Sequence, residues 1–141
     1  MTRDDGTVLV QAIGGVLLAL LVAITCFDVG AIFNARTALH TAANDVALRA
    51  ATAIDVEALY AAPIGATLAL DPELATGRAM TAAMDVADPR LTDVRLDDVE
   101  VVGDAVRVVL SAAVPHPLGP IVGERTFRIR AAAAAGTPTR F

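Results

Sequence analysis

Apolar residues are concentrated near the start of the chain, where an uncharged run extends from Val8 to Phe27. Gln11 and Thr25 are the clearly polar residues within it. About 20 helical residues extend about 30 Å, which matches the hydrocarbon core of a bilayer. A helix also pairs its own backbone groups, as lipid requires. The run therefore predicts a single membrane-spanning helix, preceded by a short polar head at residues 1–6.

The sequence after the span predicts that the same helix continues outside the membrane. It contains no proline before Pro63 and is rich in alanine, the strongest helix former. Ile32, Leu39 and Val46, here called the heptad series, recur at a spacing that suits one face of a helix. We therefore predict one helix over residues 7–62, with the membrane span at its N-terminal end.

The next segment predicts a second, shorter helix. Asp71 is a good N-cap, Pro72 suits the first helical position and Glu73 favours the first turn. The helix is expected to continue to about Val86, before Asp88 and a proline close the segment.

The remainder predicts strands, because short sets of apolar residues alternate with polar ones. The inward residues are Val94 and Leu96, then Val99 and Val101, then Val106, Val108 and Leu110, and finally Phe127 and Ile129. A change of phase after the first set predicts a bulge at Asp97-Asp98, and Gly103-Asp104 predicts a hairpin turn.

Helices followed by strands indicate an α+β fold. We expect a long N-terminal transmembrane helix that continues into a small domain, with a second helix and an antiparallel sheet of three or four strands. The domain is predicted at residues 63–136, and a frayed tail at 137–141.

Two cleaved leaders are alternatives to a permanent span. A secretory signal has a shorter apolar segment, a basic head and a small-residue cleavage site. Here Arg3 is outweighed by Asp4 and Asp5, and no clear cleavage site follows the run. A lipoprotein signal would end at Cys26, but Thr25 and the length of the run fit that pattern poorly. We therefore favour the permanent span.

Composition and motifs argue against most chemistry. The chain has 141 residues and a formal net charge of −5, which disfavours nucleic acid as a partner. A single cysteine excludes an intramolecular disulfide. His40 and His116 lie far apart and have no metal-ligand spacing around them. Ser111, the single serine, lies in no nucleophile motif. We expect no enzyme activity, no metal and no cofactor.

Gly15, Ala19 and Ala23 occur at every fourth position within the predicted span and are here called the small-residue ladder. Small residues let helix backbones approach closely in lipid, although an alanine-rich composition alone produces the same spacing. On the first interpretation, the ladder is a packing face that the heptad series extends beyond the lipid. It would serve self-association or contact with other membrane subunits.

The chain resembles a known family over most of its length, most specifically at about residues 6–51 and more loosely in its C-terminal strands. The segments that carry the resemblance are Gly6-Thr7-Val8 before the apolar run, Asp28-Val29-Gly30, Asn34 to Leu39, and Thr41 to Ala51. They are similar to the TadE/TadG-like minor pilins (pseudopilins) of tight adherence, or Tad/Flp-type, pili in the actinobacterial form. The family implies a structural subunit held in the cytoplasmic membrane by one span, with its C-terminal domain extracytoplasmic.

The resemblance also implies a processing site. Some family members are cut by a prepilin peptidase after a glycine at the edge of the apolar run, and Gly6, followed by Thr7, matches that position. Typical prepilins carry glutamate at the fifth position after the cut, where this chain has Gln11. Glutamine cannot neutralise a buried N-terminal amine, so the chain departs from a major pilin at this point.

We therefore expect a minor pilin or pseudopilin in a surface pilus or related secretion apparatus, with other pilin or pilus-assembly subunits as partners through the N-terminal helix. The alternative is a membrane-anchored binding or adaptor protein of the cell envelope that does not enter a filament. A membrane-tethered hydrolase is a third class, and no nucleophile–base pair supports it.

Overall fold

A computed structural model describes the chain at residues 3–54, 70–115 and 126–136, with side chains from Thr7 onward. Its elements are helix α1 (Arg3–Ala51), helix α2 (Pro72–Met84) and strands β1 (Thr92–Val102), β2 (Ala105–Pro115) and β3 (Thr126–Gly136). The predicted α+β class, with a long N-terminal helix, a second helix and an antiparallel sheet, is confirmed.

Helix α1 differs from the prediction at both ends. It begins at Arg3, so residues 3–6 of the predicted polar head are helical. It ends at Ala51, well before the predicted end at 62. Thr52 Oγ1 donates to a carbonyl of the last turn at 2.6 Å, and Ile54 then pairs with Leu70 in an isolated β-bridge. Local pairing with the chain that enters α2 thus outweighs the helix propensity of alanine.

Helix α2 begins as predicted. The Asp71 carboxylate accepts hydrogen bonds from the amides of Glu73 and Leu74, at 2.9 and 3.1 Å, which satisfies two of the free amides of the first turn. The helix ends at Met84, slightly before the predicted Val86. Its buried face consists of alanines, which allow a close approach to the neighbouring elements: Ala75, Ala79, Ala82 and Ala83.

Helix α2 runs antiparallel to α1. Arg78 in α2 donates to Thr52, just after α1, at 2.7 Å. Asp85, just after α2, lies 3.9 Å from Arg49 in the last turn of α1. As α2 proceeds, it therefore returns along α1 toward the apolar segment. Strand β1 therefore begins beside the middle of α1.

The sheet has the order β1-β2-β3, with both pairs antiparallel. The predicted hairpin turn is confirmed at Gly103, whose φ of 63° lies in the left-handed region that glycine tolerates. The predicted bulge is confirmed between Leu96 and Asp98. A second register shift lies between Thr92 and Arg95, where Asp93 has a φ of 51°. By contrast, β2 and β3 pair without interruption over their whole length.

The core lies between the helices and one face of the sheet. Helix α1 packs against β2, β3 and α2, and α2 packs against β1. The large side chains that are fully buried come from α1 and β2: Leu39, Val46, Val106, Val108 and Leu110. Smaller residues fill the rest, so the helices lie close to the sheet. Residues 55–62 of the predicted long helix, residues 63–69 and 116–125 of the predicted domain, and the predicted tail at 137–141 lie outside the described chain.

Candidate functional site

The N-terminal half of α1 is long and apolar enough to cross a bilayer. Every side chain described from Thr7 to Phe27 is exposed, because the rest of the described chain packs against α1 only beyond this segment. From Val8 to Phe27, twenty exposed and mostly apolar residues on one helix form a continuous surface that the described part of the domain leaves uncovered. This helix is therefore the main candidate for a functional surface.

The small-residue ladder lies on the side of α1 opposite the domain. At about 100° per residue, Ala19 and Val46 are separated by about 180° around the helix axis. Val46 is fully buried against the domain, whereas Gly15, Ala19 and Ala23 are all exposed or open. A second helix can therefore pack against the ladder of this chain without a clash with this chain's domain.

The prediction that the heptad series extends this packing face is wrong. Leu39 and Val46 have no exposed surface, because both lie in the core of the chain's own domain, and Ile32 is half-buried on the same side. The heptad spacing correctly indicated a buried face, but that face is covered from within the chain. It is not available to a partner.

Another set of residues continues the ladder's side of α1 beyond the apolar segment, and all of its members are exposed: Phe33, Thr37, Thr41, Asn44 and Leu48. Phe33 and Leu48 are 69% and 59% exposed, unusually so for apolar residues outside lipid. The hydroxyls of Thr37 and Thr41 donate to carbonyls one turn earlier, at 3.1 and 3.0 Å. Because their hydroxyl protons are already bonded to the backbone, these two threonines add little polarity to this exposed side of α1.

The predicted processing site lies within a helix. The peptide bond between Gly6 and Thr7 is part of α1, which begins at Arg3. A peptidase binds its substrate in an extended form, so the first turns of α1 would have to unwind before cleavage. Gln11, the departure from the pilin pattern, is an exposed residue of the same helix.

Ser111, the residue that a serine hydrolase would need, has a structural role instead. It is fully buried on the sheet face away from the helices, and its Oγ donates to Asp97 at 2.8 Å. Arg130 Nε forms an ion pair with the other carboxylate oxygen of Asp97, at 3.0 Å. This bridge joins all three strands of the sheet.

The same sheet face carries a second ion-pair group. Asp93 accepts hydrogen bonds from Arg95 at 2.9 Å and from Arg128 at 2.8 Å. These guanidinium groups, Arg95 foremost, lower the pKa of the Asp93 carboxyl. In the part of the chain that the structure describes, no group of three or more histidine, cysteine or acidic residues could hold a metal ion. His40 is an exposed helix residue.

A groove of about 490 Å³ lies where the apolar segment of α1 meets the domain. Its α1 side runs from Cys26 to Ala35, and its other side is formed by the end of β2 and by Arg90. Asp88 binds the Arg90 side chain through Nε and Nη2, at 3.0 and 3.1 Å. This contact, above all, lowers the pKa of the Asp88 carboxyl. Sequence patterns did not indicate the groove, because it depends on how β2 lies against α1.

Comparison with known proteins adds no relative to these observations. No protein-family model matches the chain, and no curated protein and no solved structure matches it either.

Proposed function

We propose that the chain is a structural subunit anchored in the cytoplasmic membrane by residues 8–27 of α1, with its domain outside the cytoplasm. Within that role, we infer a minor pilin or pseudopilin of a Tad/Flp-type pilus or a related secretion apparatus. The observation that supports it is the position of the small-residue ladder on the side of α1 opposite the domain.

That arrangement suits a subunit whose helix is packed by its neighbours. Helices associate in lipid mainly through close van der Waals contact at small residues. A domain on the same side as the ladder would hold neighbouring helices apart. Here the domain occupies one side, and the other side is open from Gly15 through Leu48, so neighbours can pack along α1 within and beyond the membrane.

An anchored adaptor that never enters a filament is the second candidate. It is favoured by the position of the Gly6–Thr7 bond inside a helix and by Gln11 in place of the glutamate of typical prepilins. An adaptor needs the span and the domain but needs neither cleavage nor a helix bundle.

Mechanical shearing of intact cells separates the two candidates. We expect a pilus subunit to appear in the sheared surface fraction together with pilins. A mature N-terminus at Thr7, read by mass spectrometry, supports the pilin route, whereas an intact Met1 favours the unprocessed, anchored form. An adaptor stays with the cell envelope after shearing. A soluble, cytoplasmic chain in the same fractionation would contradict both candidates.

Helix association provides a test at the level of residues. We expect Gly15→Leu and Ala19→Leu each to weaken association of the full chain in detergent or bilayers by about tenfold, about 1.4 kcal/mol, because leucine holds the backbones apart. Gly14→Leu is the matched control, since it adds the same side chain one position away and points about 100° from Gly15. Equal cross-linking yields in all variants would show that the ladder is not a packing face.

A further inference from the structure

The groove beside Arg90 has a floor of small or buried residues and polar groups at its rim. Ala35 and Val114 at the bottom are 1% and 5% exposed. Gly30 lies at the outer edge of the groove, about 140° around α1 from Ala35, and a Cβ placed there meets no atom within 4 Å. Asn34 and Arg90 provide the polar lining. The volume of about 490 Å³ lies within the range of about 300–1,000 Å³ usual for small-molecule sites.

The position of the groove along α1 suggests what fills it. It begins at Cys26 and Phe27, the last residues of the apolar segment, and ends at Ala35, about 12 Å further along the helix. The headgroup layer on each side of a bilayer is about 5–8 Å thick. If Phe27 lies at the edge of the hydrocarbon core, the groove opens into that layer, and its lower end is continuous with lipid-facing helix.

We propose that this groove binds one phospholipid molecule of the surrounding leaflet. The apolar floor receives the glycerol end of the acyl chains, and the Arg90 guanidinium and the Asn34 amide donate to the phosphodiester. Asp88 orients Arg90 through two hydrogen bonds and offsets its charge, so the guanidinium contributes as an oriented hydrogen-bond donor that loses less side-chain entropy on binding. This inference rests on the proposed membrane anchoring.

The bound lipid would have a structural consequence at the junction. Helix α1 and the end of β2 leave a gap between them at the membrane surface, lined by Ala31 and Pro115. A phospholipid would fill the gap and make apolar contacts with both sides. Because that lipid belongs to the bilayer, it would also fix the distance between the domain and the bilayer surface. The occupant is thus a component that every membrane supplies, and a second protein is not required.

Native mass spectrometry of the full chain, released from mild detergent with added phosphatidylcholine or phosphatidylglycerol, tests the proposal. We expect one retained phospholipid per chain. Gly30→Leu should lower retention about tenfold, because the leucine side chain enters the open space, and Arg90→Gln should also lower it. The matched controls are Gly14→Leu, in the span, and Arg107→Gln, on an exposed part of β2 beside the hairpin; neither should change retention.

The outcomes also separate the groove from the anchor. Equal lipid retention by the Gly30→Leu variant and the wild-type chain overturns the proposal that the groove binds lipid, even when the chain floats with membranes. Cross-links between two chains through Cys26, in place of a retained lipid, would assign the groove to a second copy and also overturn the proposal. A wild-type chain that fails to float with membranes after alkaline carbonate treatment contradicts the anchoring itself.

Discussion

Replacement of Leu39 by alanine is expected to lower the free energy of unfolding of the domain by about 2–5 kcal/mol. Leu39 is a large side chain of α1 with no exposed surface, and it lies in the single core that joins α1 to the sheet and to α2. Its truncation removes apolar contact and leaves a cavity. For a domain of this size, the expected fall in Tm is about 10 °C or more, measured by circular dichroism in detergent.

Leu48→Ala is the matched control, because it is the same substitution on the same helix at a residue that is 59% exposed. Its effect on the free energy of unfolding should stay within about 0.5 kcal/mol. Similar losses in both variants would mean that α1 does not pack against the domain through the face that contains Leu39.

The double substitution of Leu17 and Leu18 by arginine is expected to release the chain from the membrane. Both residues lie at the centre of the apolar segment and are exposed. An arginine at the centre of a membrane helix costs about 2.5–3.5 kcal/mol, and each leucine removed forfeits a favourable contribution of about 0.3–0.6 kcal/mol. The total is about 6–8 kcal/mol against insertion.

Flotation in a density gradient after alkaline carbonate treatment gives the readout for this variant. The wild-type chain should float with the membranes, and the double variant should remain in the dense fractions. Leu48→Arg, which adds charge to α1 outside the span at an exposed site, should float like the wild-type chain. Flotation of the double variant would contradict a transmembrane position for residues 8–27.

Features that depend on a few neighbouring residues could be predicted from the sequence. Asp71 and Pro72 fix the start of α2 through a side-chain cap and a preset φ. Gly103 fixes the hairpin, because few other residues tolerate its φ of 63°. The bulge near Asp97 follows from a break in alternation that cannot otherwise keep the apolar residues on one face.

Features that depend on distant contacts could not be predicted in the same way. The end of α1 is set by the bridge between Ile54 and Leu70. Helix propensity alone predicted an end at residue 62, which is too late. Heptad spacing identified Leu39 and Val46 as buried, yet it could not tell a partner chain from the chain's own sheet. The ladder was visible in the sequence, but its side relative to the domain required the structure.

The uninterrupted helix from the apolar segment to Ala51 makes the span and the domain turn as one body. The domain packs against the C-terminal half of α1 through α2 and two strands, and within the described residues of α1 no break in the helix separates it from the apolar segment. A rotation of the apolar segment about the axis of α1 would therefore turn the domain with it. A rotation of the apolar segment that brings Gly15 against a neighbouring helix therefore also sets the direction in which the sheet faces.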